Sequence, residues 1–560
     1  MLNWLAQLLD TKRTRSAKHK TRGDALLDQG AWLDAAASYR QALQDDPGNA
    51  AASNNLALAL AQAGQRQEAR QAAQQASQLD PRSINSRYLL ATLAFEDGEL
   101  DQACVLAQQA VDIDPGFAAG WSFLGNGLRE QGKAALSAAA YRTALALDPN
   151  DAVSHANLLM VLQAEGSLTQ AELFAEHRRY AQQFEPAHMA ARPAAPAPAP
   201  ARLKIGYVSA DFRRHAVAHF MIPVLEHHDR AAFEIHCYYN RDGGDELTQR
   251  FAELADHFVP IATMTDDELE ARIRADGIDV LVDLMGHSSI PRPGVFCQRP
   301  ARVQVALLGY LNTTGLTRMD FRLTDVRCDP PAIAQPLHTE RLVPLPASQW
   351  CYPGDDSHAI DLLPPFERNG HVTFGSFNSA LKVTPAACRR WAEVLLRVPG
   401  SRLVIGDIGS ERKRVAIRRD IASLGVAEHR VEFAPRVPGD QYMRLYNAVD
   451  MTLDTFPYGG GTTTFDSLWM GVPVVATRGD TPVSRSAAAI LAALDLEDWI
   501  APSVGDVVDL AVARATDLEA LRALRPVLRP RLQASPLTDM ARYVRDLEAA
   551  YREMWLEKAR

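Results

Sequence analysis

The sequence predicts an all-α repeat solenoid followed by an α/β region of two Rossmann-like lobes. Three observations carry this. A set of turn residues recurs every 34 positions through the first third of the chain. A Pro/Ala stretch then breaks the pattern. Beyond it, short β-branched runs alternate with segments of helical period, and do so twice over.

The repeat comes first. Asp46-Pro47, Asp80-Pro81, Asp114-Pro115 and Asp148-Pro149 stand 34 residues apart. Gly30, Gly64, Gly98, Gly132 and Gly166 keep that period, as do Ala42, Ala76, Ala110 and Ala144. A unit of this length is a helix-turn-helix that buries its apolar face only by stacking on copies of itself. The glycine permits the turn inside a unit, and the alanine lets helices approach closely. Asp-Pro is expected to close one unit and open the next, with Pro in a first helical turn. The repeats are expected over 21–185, with Leu158, Leu159 and Leu162 helping to cap them. An amphipathic and basic segment, 1–20, precedes them. Its Leu2–Leu9 stretch reads as a short amphipathic helix, and Lys12, Arg13, Arg15, Lys18, Lys20 and Arg22 as a solvated helix end. Such a stack offers a groove for a protein or peptide, or serves as an oligomerisation or spacer module.

Residues 186–201 carry five prolines among alanines and read as an extended linker. The first lobe is expected over 202–365, with buried parallel strands at Leu203–Ser209, Phe233–Tyr239, Asp279–Met285 and Val303–Gly309. The second, 366–560, has strands at His371–Phe377, Arg402–Gly406, Arg430–Ala434, Asp450–Asp454 and Val472–Ala476. A strongly amphipathic helix ends the chain. Ligands of such sheets bind beyond the carboxyl ends of strands.

Composition narrows the function. The 59 Lys and Arg against 68 Asp and Glu give a net charge of −9, which disfavours a general nucleic-acid binder. The six cysteines form no C-x-x-C pair and read as reduced thiols of a cytoplasmic protein. No secretory signal or membrane-length apolar run is read, so no membrane partner is expected. There is no HExxH, no spaced Cys/His set and no Asp-x-Asp at a strand end, so no metal is expected. No G-x-S-x-G elbow occurs either, which disfavours a Ser-His-Asp hydrolase.

Three segments carry chemistry. In Asp454-Thr-Phe-Pro-Tyr-Gly-Gly-Gly-Thr-Thr-Thr-Phe-Asp466 a strand passes through Gly459, Gly460 and Gly461 into a helix at Thr462. Backbone amides, Thr462, Thr463 and the helix N-terminus make this a diphosphate cradle, with Asp466 placed to accept from a sugar hydroxyl. In Ser376-Phe-Asn-Ser-Ala-Leu-Lys382, the lysine can neutralise a departing phosphate. In Ser209-Ala-Asp-Phe-Arg-Arg-His215, the histidine can orient or deprotonate a hydroxyl. His257 and Glu253 are weaker candidates near the second strand. His227 and His228 read as helix surface.

The 34-residue pattern resembles the tetratricopeptide repeat. The pieces IGYVSADFRRH, LLGYLNTTG, FGSFNSALKVTP and DTFPYGGGTTTFDSLWMGVPVV resemble the O-linked N-acetylglucosamine transferase and SPINDLY family, above all its bacterial members. That resemblance implies a tetratricopeptide solenoid followed by a GT-B fold. It implies an inverting, metal-independent transfer from a nucleotide sugar to Ser or Thr hydroxyls, with no cofactor beyond the donor. It assigns Lys382 to the leaving diphosphate, Thr462 and Thr463 amides to the same group, and Asp466 to the ribose. It places His215 at sugar and acceptor, His257 as another active-site histidine, and Arg436 and Arg444 in the segment approaching the nucleotide. Animal members carry a histidine where this chain has Gly461, and a glutamine at Ser379. Their Gly-rich sugar loop reads here Gly309-Tyr-Leu-Asn-Thr-Thr-Gly315. UDP-N-acetylglucosamine is the leading donor. GDP-fucose, used by SPINDLY-like members, and a chiefly interacting role for the repeats with weak transfer are the alternatives.

Overall fold

The computed structural model describes residues 2–185, 200–288, 290–406 and 408–559. The linker expected at 186–201 lies almost entirely outside the described residues, and so do the side chains of the first ten positions, on which the amphipathic reading of Leu2–Leu9 rests. The chain forms two compact units: residues 1–149 with the short segment 409–412, and the remainder.

The first unit is a stack of helix pairs. Its opening helix, Leu2–Asp28, is continuous, so the basic segment and the first repeat helix are one element. Lys12, Arg13, Lys18 and Arg22 lie exposed along it, as a solvated helix requires. Gly30, Gly64, Gly98 and Gly132 all adopt φ between 66° and 77°, a left-handed conformation that reverses the chain at little cost only in glycine. Ala42, Ala76 and Ala110 are fully buried, and an alanine-rich core packs around Tyr39. The Asp-Pro pairs act differently from expectation. Asp46, Asp80, Asp114 and Asp148 are extended C-caps whose amides donate to the carbonyls of Ala42, Ala76, Ala110 and Ala144. The proline then lies in the turn, and the next helix begins three residues later, as at Ala50 after Pro47. Pro ends the old helix by lacking an amide; it does not open the new one.

The fifth helix pair, Ala152–Glu165 and Gln170–Phe184, keeps the period but belongs to the second compact unit. The repeats read over 21–185 thus run past the division between the compact units, which falls at 149–150.

That second unit holds two all-parallel sheets. The first contains β1 (Leu203–Ser209), β2 (Phe233–Tyr239), β3 (His257–Pro260), β4 (Val280–Asp283), β5 (Val303–Ala306), β6 (Phe321–Thr324) and β7 (Arg341–Pro344), in the order β3-β2-β1-β4-β5-β6-β7. The second contains β8 (Thr373–Ser376), β9 (Arg402–Ile405), β10 (Val431–Phe433), β11 (Met451–Leu453), β12 (Val474–Thr477) and β13 (Ile500–Ala501), in the order β10-β9-β8-β11-β12-β13. Each sheet reverses its strand order once, at β1/β4 and at β8/β11. Those switch points open a crevice at the carboxyl ends of the strands.

The final helix, Met540–Ala559, returns to the first lobe. Glu548 accepts from His228 Nδ1 at 2.9 Å, and Trp555 Nε1 donates to Asp279 at 3.3 Å. His228 is thus buried, not surface, because the chain end covers it; Tyr207 completes its bonding at 2.9 Å. All six cysteines are buried free thiols. No described helix is long and apolar enough to cross a membrane.

Candidate active site

The three segments singled out in the sequence leave the strands at the two switch points. His215 follows β1, Lys382 follows β8, and the glycine loop follows β11. They line one cleft of about 1360 Å³ within the second unit, which His215 enters from the first lobe and Lys382, Thr462, Thr463 and Asp466 from the second.

The cradle is built around Asp454, the residue after β11. Its Oδ1 accepts from the Gly460 amide at 2.8 Å and from Asn378 Nδ2 at 3.2 Å. Asn378 Oδ1 in turn accepts from Thr463 Oγ1 at 3.0 Å. One carboxylate and one carboxamide therefore tie the ends of β8 and β11 to the helix Thr462–Trp469. Burial pushes the Asp454 carboxyl up to about 6, against the Gly460 amide and Lys382, which pull it down. It is mainly ionised at neutral pH. The glycines serve by size: a Cβ on Gly459 would meet Asp454 Oδ2 at 2.8 Å, and one on Gly460 would meet two threonine hydroxyls at 2.7 Å. Gly461 faces open space and stands at the helix N-cap without a side-chain cap. The amides of Thr462 and Thr463 lie in the first turn, which has no preceding helical carbonyl, so they are free to receive an anion.

Lys382 donates to the Gly459 carbonyl at 2.8 Å and sits 4.3 Å from the Tyr458 ring centre. Burial lowers its pKa to about 8, with Asp454 opposing. The ammonium persists at neutral pH, close to balance. A bound diphosphate would favour the charged form further.

Asp466 Oδ1 accepts from Tyr352 OH at 2.8 Å, and burial raises this carboxyl to about 7 against that bond. Tyr352 stacks on Phe465 at 5.1 Å and 7°, which fixes its hydroxyl. Arg436, on the loop after β10, lines the cleft. Arg444 ends the helix Gly439–Arg444, whose Tyr442 and Met443 line it instead.

His215 caps the helix Ala216–His227, its Nδ1 accepting from the Val217 amide at 3.3 Å. His219, one turn on, also lines the cleft and packs on Tyr352 at 5.1 Å. Sequence reasoning gave no role to Asp454, Asn378, Tyr352 or His219. Asp454 alone was signalled, by its place at a strand end before the glycines.

His257 is not brought to this cleft. It is the first residue of edge strand β3, level with His236 and Gly206 in the middle of β2 and β1, on the outermost strand of the sheet. There it pairs with Glu234 at 3.3 Å beside His236. These three side chains come within 4.8 Å of one another, but the two imidazoles stack at 4.3 Å and 29°. Nε2 of each imidazole faces Glu234 Oε1, at 3.0 Å from His236 and 3.3 Å from His257, and Arg202 and Lys204 pair with the same carboxylate. Glu253 is exposed and pairs with Arg250.

Two parallel-sheet lobes with a phosphate-type cradle facing a cleft define the GT-B class of glycosyltransferases. The comparisons agree. The model of glycosyl transferase family 41 matches residues 186–363 and 367–547, and that of the tetratricopeptide repeat matches 26–93 and 60–126. The chain belongs to glycosyl transferase family 41. A mutant of the Thermobaculum terrenum O-GlcNAc transferase superposes with a TM-score of 0.83 at 33% identity, over 91% of this chain and 99% of that one. Among curated proteins, the Petunia hybrida "Probable UDP-N-acetylglucosamine--peptide N-acetylglucosaminyltransferase SPINDLY" is 36% identical over 362 residues, 63% of this chain and 39% of its own length. The corresponding SEC protein of Arabidopsis thaliana is 31% identical over 367 residues, 63% of this chain and 37% of its own length. The chain thus spans less than two fifths of the length of these plant relatives.

Proposed function

We propose that this chain is a protein O-glycosyltransferase that moves a sugar, with UDP-N-acetylglucosamine as the leading donor, to Ser or Thr hydroxyls. One observation carries the reading: Lys382, the Thr462 and Thr463 amides and Asp466 face a cleft that His215 enters from the other lobe. The donor diphosphate takes the cradle, and Asp466, oriented by Tyr352, takes a ribose hydroxyl. His215 Nε2 removes the acceptor proton as the acceptor oxygen attacks the anomeric carbon. The bond from that carbon to phosphate oxygen breaks, and its electron pair leaves with the diphosphate, neutralised by Lys382 and the helix N-terminus. Attack from the face opposite the leaving group inverts the anomeric centre. The positive charge comes from Lys382 and oriented amides, so the reading is metal-independent. Protein or peptide acceptors are proposed to bind along the groove of the repeats.

A second reading, transfer from GDP-fucose, follows from the family resemblance and from Gly461, which leaves the cradle mouth open.

Calorimetry with UDP and GDP tests both. One nucleotide should bind, and Lys382→Ala should weaken it by about tenfold or more. Unchanged affinity in that variant would remove the cradle assignment.

A further inference from the structure

His215 sits between two neighbours that ask opposite things of one nitrogen. The Val217 amide donates to Nδ1 at 3.3 Å, which needs a lone pair there. Oδ2 of Asp211 lies 3.6 Å from the same Nδ1 and can only accept, which needs a proton there. With Nδ1 unprotonated, a neutral imidazole carries its proton on Nε2 and cannot take another at that atom. A histidine that accepts a proton at Nε2 must hold its first proton on Nδ1, and in that state Asp211 is its partner.

Asp211 is built to stay in place. It is fully buried in the turn leaving β1, and its amide donates to Ser209 Oγ at 2.9 Å. Its Oδ1 lies 3.9 Å from Arg213 Nε. We propose that Asp211 is the positioning residue of the transfer step: it selects the Nδ1-protonated tautomer of His215 and stabilises the imidazolium formed when Nε2 takes the acceptor proton. The inference rests on the reading of His215 as base. In the step, the acceptor O–H bond breaks and an N–H bond forms at Nε2. The proton passes to solvent after sugar transfer. Before the step the Val217 amide releases Nδ1, and the ring proton moves, by exchange with solvent, from Nε2 to Nδ1, where Asp211 holds it.

The charges facing His215 are Asp211, Arg213 and Arg241, with Arg214 bound to Glu246 and to Asp245 nearby and Lys382 in the same cleft. Burial lowers the imidazole pKa, Asp211 raises it, and Arg213 and Arg241 lower it. Removing the carboxylate therefore moves the acid limb of the rate profile to lower pH while lowering the plateau.

The experiment uses the full chain, UDP-N-acetylglucosamine and its hydrolysis to UDP. Asp211→Asn should cut kcat by about tenfold or more, with UDP affinity unchanged by calorimetry. In a His215→Ala background the same substitution should add nothing, since Asp211 acts through the imidazole. Equal loss in both backgrounds would overturn the inference in favour of a structural role. Nitrogen-15 NMR of the labelled histidines reads the coupling without turnover. In folded Asp211→Asn the His215 titration should fall, and an unmoved titration would overturn the proposal. If the variant does not fold, the wild-type decides. Acid titration should reveal a downfield, slowly exchanging Nδ1 proton on His215, and a solvent-like one would overturn it. Full turnover in His215→Ala would sink the base reading itself. A slow His215→Ala beside a fast Asp211→Asn would sink only this inference.

Discussion

The fifth helix pair and the pairs before it share a period and a turn. Gly166 stands at φ 78° where Gly64 and Gly98 stand at 76° and 77°. Yet a Cβ on Gly64 or Gly98 would meet nothing within 4 Å, whereas one on Gly166 would meet the ring of Pro457 at 2.5 Å. The earlier pairs contact chiefly their neighbours in the stack. The fifth gives its side chains to the first lobe: His177 Nδ1 donates to Leu173 O and Nε2 accepts from Tyr310 OH, both at 2.6 Å, and Gln170 Nε2 donates to Asn312 at 2.9 Å. Arg178 donates to the Gly315 carbonyl. The loop 309–315, which the family resemblance places near the sugar, is thus held by a repeat helix. A repeat period reports a local unit; which body that unit joins is decided by the residues on its outer face.

The largest expected effect follows from where the chain is cut. A protein beginning at 150 should fold and bind nucleotide. One beginning at 186 should not. The second cut strips partners from Tyr310, Asn312 and the Gly315 carbonyl, and so frees the loop 309–315. It also withdraws the buried Leu159 and Tyr180, at roughly 1.5–3 kcal/mol each. Those losses rival a total stability of roughly 5–15 kcal/mol. Circular dichroism and UDP or GDP calorimetry on the two truncations decide it. Equal behaviour would return the fifth pair to the solenoid.

Acid separates the two bodies next. Burial lowers His177 to about 4 and His287 to about 3. Both stay neutral in the folded state and charge in the unfolded state below the ordinary histidine value of about 6.5. The unfolded chain then binds more protons, so stability present above pH ~6.5 is lost as pH falls toward about 4 and then 3, on the order of a few kcal/mol for the pair. Residues 1–149 contain one histidine, His19, on the opening helix. In thermal scans from pH 7 to 4.5, the transition of the α/β unit should fall more steeply than that of the repeats. His177→Phe should flatten the difference.

The sequence made the fold legible where periodicity is strong. Nine strands were readable as apolar runs, and four were not. β6 reads Phe-Arg-Leu-Thr, with a charge in the middle, yet Arg322 is fully buried because it donates to the Tyr310 carbonyl at 2.8 Å and pairs with Asp329. β3, β7 and β13 are short edge strands, defined by the neighbour they pair with. The site divides the same way. Lys382 and the glycine loop announce themselves by local chemistry. Asn378 and Tyr352 do not, because their roles depend on partners 76 and 114 residues away. His257 shows the converse: family position suggested a role, but its place on the outermost strand, two strands from β1, leaves it outside the cleft lining.

The smallest effect sharpens the opening comparison most. Gly64→Ala and Gly166→Ala each force a Cβ into a left-handed conformation, at about 1 kcal/mol. At Gly64 that is the whole cost, since space is open. At Gly166 the added methyl must also displace Pro457, which leads through Tyr458 into Gly459, the carbonyl that receives Lys382. Gly166→Ala should therefore weaken nucleotide binding several-fold, while Gly64→Ala leaves it untouched at a similar loss of melting temperature. Parallel thermal melts and calorimetry on the two variants read this directly. If both leave affinity unchanged, Pro457 yields without moving the cradle, and the fifth pair acts on the first lobe alone.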